Sequence, residues 1–207
     1  MSVRSSAAAP VAAPHTPCFT EGTEIATDCG AVRIEDLRVG DRVLTRDSGY
    51  RPIRWIGARH FDENQLAAFP ELRPMTIRTG ALGAGVPERD LSVSPQHRML
   101  VTAYGQDEEN TEVLVAAIDL ACARTSDERS VTYYHILFDA HEVVMADGAW
   151  SESFLPGAEA LGGLHAAQRD EILTIFPELR HPHGIAAYTP ARHCPAPDEA
   201  APLVNAA

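Results

Sequence analysis

The sequence contains few cysteines, and their spacing excludes several common kinds of site. There are four in 207 residues, at Cys18, Cys29, Cys122 and Cys194, and no two of them form a C-x-x-C pair. A zinc ribbon and a thioredoxin-type redox motif both need such a pair. Four cysteines in a chain of this length are also too few for a disulfide-stapled scaffold. We therefore expect free thiols, one of them a candidate for chemistry.

Basic residues are also scarce, and long apolar runs are missing. Lysine and arginine total 17 against 29 acidic residues, which gives a net charge of -12. So acidic a surface repels nucleic-acid phosphates and anionic lipids, and we expect neither nucleic acid nor membrane as a partner. No apolar run approaches the roughly 20 residues that span a bilayer. Pro10 and Pro14 interrupt the apolar part of residues 1–17, which favours a flexible leader over a signal peptide and makes the cytoplasm the default location.

Alternating strand and helix segments are missing as well, which disfavours a doubly wound nucleotide-binding fold. From Cys18 to about Phe154, short β-prone segments are separated by turn signals about every 8 to 12 residues, a pattern that predicts an all-β domain. One turn is predicted at Asp147-Gly148, and residues 115–123 are interpreted as a short helix. The predicted strands are 23–27, 32–34, 42–46, 53–56, 75–78, 91–93, 98–102, 131–138 and 141–146.

The pattern changes towards the C-terminus. Residues 158–176 are rich in Ala and Leu at helical spacing, and the chain from about His181 is rich in Pro and Ala. We predict a leader at 1–17, the all-β domain at 18–156, a helical extension at 157–180 and a loose tail at 181–207. In the tail, His181, His183, His193 and Cys194 have donor types that suit zinc or nickel if the tail folds back. Because prolines surround them, a solvated tail is favoured, and no metal or other cofactor is expected.

Cys18 stands where the strand pattern begins. It opens C-F-T-E-G-T-E-I-A-T, and V-R-I-E-D-L-R-V-G-D-R-V-L-T follows. A cysteine that opens a domain ahead of E-D-L-x-x-G-D-x-V-L resembles the start of hedgehog C-terminal domains and inteins. Two more elements follow in the same order. Residues 91–100, L-S-V-S-P-Q-H-R-M-L, contain Ser94 and His97 in a pattern similar to T-x-x-H, and residues 141–150, H-E-V-V-M-A-D-G-A-W, resemble H-N-F-x-x-N-G. With W-S-E-S-F at 150–154, the run looks most like bacterial hedgehog/intein-type Hint domains.

The resemblance implies an all-β Hint fold of short strands that acts on its own chain. Cys18 would be the nucleophile, forming a thioester with the carbonyl of Pro17 through an N-to-S acyl shift, with water or a small nucleophile as acyl acceptor. The leaving amide nitrogen needs a proton, which a histidine that titrates near neutrality can donate. By resemblance His97 takes this role, and Ser94 positions the scissile amide or helps to polarise its carbonyl. His135 falls near the position where the family often carries a catalytic Asp.

The sequence also departs from the splicing pattern. Splicing inteins end in His-Asn ahead of Cys, Ser or Thr, whereas the corresponding A-D-G-A-W-S-E-S-F contains no asparagine. We therefore expect cleavage of the Pro17–Cys18 bond without full splicing.

Each site residue has a simpler interpretation. Cys18 can be an inert small apolar side chain, His97 and His135 structural histidines, and Ser94 a turn former ahead of Pro95. A catalytically degenerate Hint-fold module with a structural or interaction role is the alternative. A papain-like cysteine hydrolase is disfavoured, because the helix that normally carries its nucleophile is missing.

Overall fold

A computed structural model describes residues 17–104 and 110–204, so the predicted leader at 1–17 lies outside the described residues except for Pro17. Within them the fold is mostly β, as predicted. Each predicted strand overlaps an observed one, whereas β1, β5, β10, β11 and β14 were not predicted. Their bounds are β1 Phe19–Thr20, β2 Glu24–Thr27, β3 Gly30–Arg33, β4 Arg42–Thr45, β5 Gly49–Pro52, β6 Trp55–Phe61, β7 Met75–Ile77, β8 Leu91–Val93, β9 Arg98–Tyr104, β10 Asn110–Ala116, β11 Ala123–Thr125, β12 Val131–Leu137, β13 Val143–Ala146 and β14 Ala149–Glu152.

The strands pair antiparallel in two sheets across the described ranges. The first sheet has the order β11-β7-β8-β1-β12-β6, and the second has the order β10-β9-β14-β13-β2-β4-β5, with β3 paired to β2. In the first sheet β1 lies between β8 and β12, so its neighbours come from distant parts of the sequence. Apolar side chains from both sheets form the main core, which includes Phe19, Ile25, Val93, Met99 and Ile136.

The predicted turn at Asp147-Gly148 joins β13 to β14. Both residues have positive φ, 47° for Asp147 and 78° for Gly148. A two-residue hairpin loop of the mirror-image type requires this conformation at both positions, and Asp-Gly is among its preferred sequences. The Asp147 side chain also accepts a hydrogen bond from the Glu24 backbone N–H at 3.1 Å and pairs with Arg89. The turn therefore ties this hairpin to the start of β2.

The interpretation of residues 115–123 as a helix is wrong. The first two residues of this segment end β10, which pairs with β9 over its whole length, and one 3-10 turn at Ala117–Asp119 follows. A short apolar run is ambiguous between helix and strand, and here pairing with β9 decides it. A helix that was not expected, α1 at Glu63–Ala68, begins with a capping box in which the Asp62 and Gln65 side chains each bind the other's backbone.

The helical extension is confirmed and has a core of its own. Helices α2 Ala158–Gly163 and α3 Ala166–Ile175 pack against the edge strand β6 and against β12. Their apolar side chains cluster with Trp55 of β6, Leu137 of β12 and Phe154. Two polar contacts reinforce the packing: Trp55 Nε1–H donates to Glu171 Oε2 at 2.9 Å, and Gln168 Nε2 donates to the Ala58 carbonyl at 3.1 Å.

The tail differs from the loose segment expected for it. It contains α4 Pro182–Ala187 and α5 Pro197–Val204, and it is fastened to the second sheet. Arg192 forms ion pairs with Asp47 at 2.7 Å and Glu112 at 2.8 Å. The Leu114 backbone N–H donates to the His193 carbonyl at 2.9 Å. The prediction of a loose tail was wrong, because amino-acid composition does not show which distant residues form ion pairs.

No helix in the described part of the chain is both long enough and apolar enough to cross a lipid bilayer.

Two isoleucines of α3 differ in burial and so test how the helical extension packs. Ile172 is fully buried, whereas Ile175 on the same helix is 36% exposed. We expect Ile172→Ala to lower the free energy of unfolding by about 2 to 4 kcal/mol, because it removes buried methyl groups and leaves a cavity. Ile175→Ala should cost well under half of that. Urea denaturation of both variants measures the difference, and equal losses would contradict the described packing of α3.

Candidate active site

Strand pairing places Cys18 between two predicted site residues. Phe19 of β1 pairs with Val93 of β8 on one side and with Tyr134 of β12 on the other. Continuing each antiparallel register by one residue brings Cys18 opposite Ser94 and opposite His135. Because the residues involved come from three distant segments, only the assembled sheet creates this juxtaposition.

The His135 ring contacts both Pro17 and Cys18. Its Nδ1 lies 2.9 Å from the Pro17 carbonyl oxygen, and its Nε2 lies 3.7 Å from Cys18 Sγ. A carbonyl oxygen has no hydrogen to give, so Nδ1–H is the donor in that contact. In the neutral ring, Nε2 then carries no hydrogen and is free to accept the proton of the Cys18 thiol.

Aromatic rings hold the His135 imidazole in this orientation. Trp55 is stacked on it, with centroids 6.3 Å apart and planes 14° from parallel, and Phe154 meets it edge-on at 5.5 Å. Burial lowers the pKa of His135 to about 4, although the hydrogen bond with Pro17 acts in the opposite direction. The ring is therefore neutral at pH 7, as the assigned proton positions require.

Ser94 binds the amide nitrogen of the same peptide bond. The Cys18 backbone N–H donates to Ser94 Oγ at 2.9 Å, and the Ser94 backbone N–H donates to the Cys18 carbonyl at 3.0 Å. Polar side chains therefore contact both atoms of the Pro17–Cys18 peptide bond. His135 binds its carbonyl oxygen and Ser94 binds its amide nitrogen. A peptide bond held at both atoms is restrained in its orientation.

His97 lies on the same turn as Ser94 but makes a different set of contacts. Its backbone N–H donates to the Ser94 carbonyl at 3.0 Å, and its ring packs edge-on against Phe19 with centroids 4.5 Å apart. Neither ring nitrogen has a hydrogen-bond partner within residues 17–104 and 110–204. Burial lowers the pKa of His97 to about 4, while the Glu152 carboxylate acts to raise it.

The Cys18 thiol is protonated at neutral pH. Burial raises its pKa well above the ordinary range, and this outweighs the lowering effects of the Ser94 hydrogen bond and of the Arg59 charge. A buried thiolate without solvent is costly. For Sγ to act as a nucleophile a base must take its proton, and the unprotonated Nε2 of His135 lies 3.7 Å away.

A cleft of about 170 Å³ opens onto these groups. Cys18, Ser94 and His135 all line it, and so does Arg59 on β6. The apolar part of the lining comes from Phe61, Leu72, Met75, Ile118, Tyr133 and Leu164. Since Leu164 follows α2, the extension helps to form this wall.

The profile of the Hint domain family matches residues 17–158, which is more than half of the chain. The chain belongs to the Hint domain family. Among solved structures it is similar to the gp41-1 intein at 12% identity, with 65% of this chain and 97% of that chain covered and a TM-score of 0.39. It is also similar to a bacterial intein-like domain from Clostridium thermocellum at 13% identity, covering 66% and 97%, with a TM-score of 0.41. A DnaB intein from Synechocystis is similar at 8% identity, covering 66% and 98%, with a TM-score of 0.42. No curated protein matches the chain.

Membership in the Hint family confirms the predicted fold class and the resemblance on which it was based. Of the predicted site residues, the fold brings Cys18, Ser94 and His135 together at the carbonyl of Pro17. His97 lies next to this group, but its ring makes no hydrogen bond to the Pro17–Cys18 link in the described residues. Its role therefore remains a prediction.

Two residues at this site, Arg59 and Trp55, were not predicted, because nothing in their local pattern sets them apart. Glu152 inside W-S-E-S-F was not predicted either. The Glu152 carboxylate is fully buried, accepts a hydrogen bond from the Arg98 backbone N–H at 2.8 Å, pairs with the Arg98 guanidinium and lies 3.4 Å from His141 Nε2. Glu152 lies between Ser151 and Ser153, beyond the last predicted strand, so no local pattern indicated that this carboxylate would be buried.

The tail histidines do not form a metal centre with neighbouring donors. His181 and His183 stack with ring centroids 5.4 Å apart. Across the described ranges, no group of three or more His, Cys, Asp or Glu side chains is arranged to hold a metal ion.

The two buried histidines make stability depend on pH. Each has a pKa of about 4 in the folded chain against an ordinary value of 6.5, so the unfolded chain binds more protons between these values. Stability should therefore fall as the pH drops below 6.5, by about 2 kcal/mol per histidine between pH 7 and pH 4.5. Urea denaturation at both pH values measures this loss.

The matched variants for this measurement are His97→Gln and His60→Gln. His97→Gln should lose less stability on acidification than the parent chain, whatever its stability at pH 7. His60 is exposed, so His60→Gln should keep the full loss. A parent chain and a His97→Gln variant with the same dependence on pH would contradict a buried neutral His97.

Proposed function

We propose that this Hint domain cleaves its own Pro17–Cys18 peptide bond through a thioester at Cys18, without splicing. The observation that carries the proposal is the position of one imidazole: His135 lies 2.9 Å from the scissile carbonyl oxygen and 3.7 Å from the Cys18 sulfur. A single ring is thus placed to take the proton of the nucleophile and to stabilise the oxygen that becomes negatively charged.

In the first step the Cys18 thiol gives its proton to His135 Nε2 while Sγ attacks the carbonyl carbon of Pro17. Negative charge develops on the carbonyl oxygen, where the Nδ1–H of the same ring already donates a hydrogen bond. Protonation at Nε2 makes the ring cationic and strengthens that hydrogen bond as the charge develops. The buried surroundings add to the effect, because water does not screen the two charges.

In the second step the carbon–nitrogen bond breaks and the Cys18 nitrogen leaves as an amine, which requires a proton. Ser94 Oγ lies 2.9 Å from this nitrogen. In the resting chain it accepts the N–H. When the nitrogen loses its planar amide character and gains a lone pair, the Ser94 hydroxyl can donate instead, with the proton held on His135 as the ultimate source. His97, one turn away from Ser94, is a second candidate donor.

The resulting thioester joins the Pro17 acyl group to Cys18 Sγ. Water or a small nucleophile then attacks the thioester carbonyl carbon and releases residues 1–17, while Cys18 is regenerated as a thiol. The corresponding C-terminal region, A-D-G-A-W-S-E-S-F, offers no asparagine for cyclisation. Cleavage on the upstream side is therefore the complete reaction in this proposal.

The first test compares two cysteines by the same substitution. The parent chain, incubated with dithiothreitol or hydroxylamine, should lose the mass of residues 1–17, because both reagents attack thioesters. Cys18→Ala should abolish this loss, and Cys29→Ala should leave it unchanged, since Cys29 is exposed. Intact-mass spectrometry over time measures the reaction. Release that continues in Cys18→Ala would show that Cys18 is not the nucleophile.

The second test compares two histidines. His135→Gln should slow thiol-induced cleavage by about 100-fold or more, which is the usual contribution of a general base. His60→Gln provides the control, because it makes the same substitution on the neighbouring strand β6. Ser94→Ala should slow cleavage less, since it removes one hydrogen bond to the amide. Circular dichroism checks that each variant is folded, and unchanged cleavage in folded His135→Gln would remove His135 from the mechanism.

A catalytically silent Hint module is the second candidate. The observation in its favour is that burial raises the pKa of the Cys18 thiol and lowers the pKa of His135, so the two do not form a preformed ion pair. A parent chain that keeps its full mass in hydroxylamine, with the same behaviour in Cys18→Ala, would establish this alternative.

A further inference from the structure

The cleft beside Cys18 contains a cation that has no anionic partner among the described residues. Arg59 lies on β6, opposite Tyr133 of β12, and is half-buried. Its guanidinium lies over the Phe61 ring, with Cζ 4.4 Å from the centroid. None of the ion pairs in residues 17–104 and 110–204 includes Arg59. Burial lowers the pKa of Arg59, and a negative charge at Cys18 would act to raise it.

Partial burial sets Arg59 apart from most other arginines without an ion pair in the described ranges, because Arg33, Arg38, Arg51, Arg78, Arg124 and Arg180 are exposed. Seven other arginines in the described ranges form ion pairs with carboxylates, namely Arg42, Arg46, Arg54, Arg89, Arg98, Arg129 and Arg192. A guanidinium that is half-buried without an anion loses hydration and gains no pairing. Arg59 is thus a cation that an anionic ligand can complete.

Two further charged residues line the cleft. One N–H group of Arg73 donates to the Glu128 carbonyl at 3.0 Å, so this arginine is held in place by a backbone oxygen. Glu71 is the one carboxylate among the lining residues; it is exposed and forms no ion pair with either arginine among the described side chains. The charge facing the cleft is therefore mainly positive, while the rest of the lining is mainly apolar.

We propose that this cleft binds the acyl acceptor, and that the acceptor is a small nucleophile with a compact apolar body and an anionic group that Arg59 binds. The inference rests on the proposed thioester at Cys18. A dry cavity of about 150 Å³ is large enough for benzene, so a cleft of about 170 Å³ takes a body of similar size. A planar guanidinium suits a carboxylate or a sulfonate.

The transfer step is a thioester exchange when the acceptor is a thiol. The acceptor sulfur attacks the carbonyl carbon of the Pro17 acyl group and forms a new carbon–sulfur bond. The bond from that carbon to Cys18 Sγ breaks, and Sγ leaves with the electron pair. The acceptor proton passes to Cys18 Sγ, with His135 Nε2 at 3.7 Å as the carrier. Nothing is oxidised or reduced, and residues 1–17 depart with the acceptor attached.

The experiment compares acceptors that differ in charge. Full-length protein is incubated with 3-mercaptopropionate, 2-mercaptoethanol or cysteamine, which carry a negative, a neutral and a positive group. The release of residues 1–17 is followed by intact mass. Each rate is divided by the rate of the same thiolate with a small model thioester, which removes intrinsic differences in reactivity. We expect the anionic thiol to be favoured about tenfold over the neutral one, the effect of one charge-assisted hydrogen bond.

Three variants assign this preference to Arg59. Arg59→Leu should bring the ratio of anionic to neutral thiol to about one, and Arg59→Lys should keep most of the preference because it retains the charge. Arg38→Leu removes an exposed arginine outside the cleft and should leave the ratio unchanged. The ratio of rates is compared, and not the absolute rate of Arg59→Leu. Loss of the charge also affects Cys18 and slows the reaction with every thiol, and the ratio cancels this effect.

The outcomes separate this inference from the proposed function. If all three thiols release residues 1–17 with equal normalised rates, or if Arg59→Leu keeps the preference, the acceptor inference is overturned while self-cleavage stands. If neither the thiols nor hydroxylamine release the segment, the thioester does not form, and the acceptor inference fails together with the proposed function.

Discussion

The insertion of the two-residue strand β1 between β8 and β12 is the constraint on which the site depends. Backbone pairing on both sides of Phe19 fixes the position of Cys18 relative to Ser94 and His135. A shift of one residue in either register would turn the side chains to the opposite face of the sheet. A peptide bond on a free chain segment would lack this restraint, whereas here polar groups contact both its oxygen and its nitrogen.

Burial determines the protonation states of the groups at this site. The thiol and the two nearest imidazoles are neutral at pH 7, because desolvation raises the pKa of Cys18 and lowers the pKa values of His97 and His135. Orientation therefore matters more than resting charge. Trp55 and Phe154 hold the His135 ring, and Glu171 of the helical extension accepts the indole N–H of Trp55. The extension thus supports the site, although it lies outside the strands that form it.

Two charged residues near the site, Glu152 and Arg59, differ in whether they pair with a group of opposite charge. The buried Glu152 carboxylate has Arg98 and His141 as partners, as a fully buried charge requires. Arg59, at the cleft, is only half-buried and has no carboxylate partner in the described ranges. The first arrangement stabilises the second sheet, and the second leaves a positive charge at the cleft that Cys18 also lines.

Local patterns in the sequence predicted much of the fold. The Asp147-Gly148 turn, β8 and β12 were found because their signals lie within a few residues of one another. The capping residues of α1 were equally readable but were overlooked. Residues 115–123 were misassigned, because an apolar run of that length suits a helix or a strand equally and only the pairing of β10 with β9 distinguishes them.

The sequence by itself determined the family, the fold class and the identity of the candidate nucleophile, because motif order and hydrophobic periodicity are properties of neighbouring residues. Only the tertiary structure decided which histidine faces the scissile carbonyl. His97 lies in the recognisable motif, yet His135, more than a hundred residues beyond Cys18, makes the contacts. Such a choice depends on which strands lie side by side, and no local pattern contains the free energy of that long-range pairing.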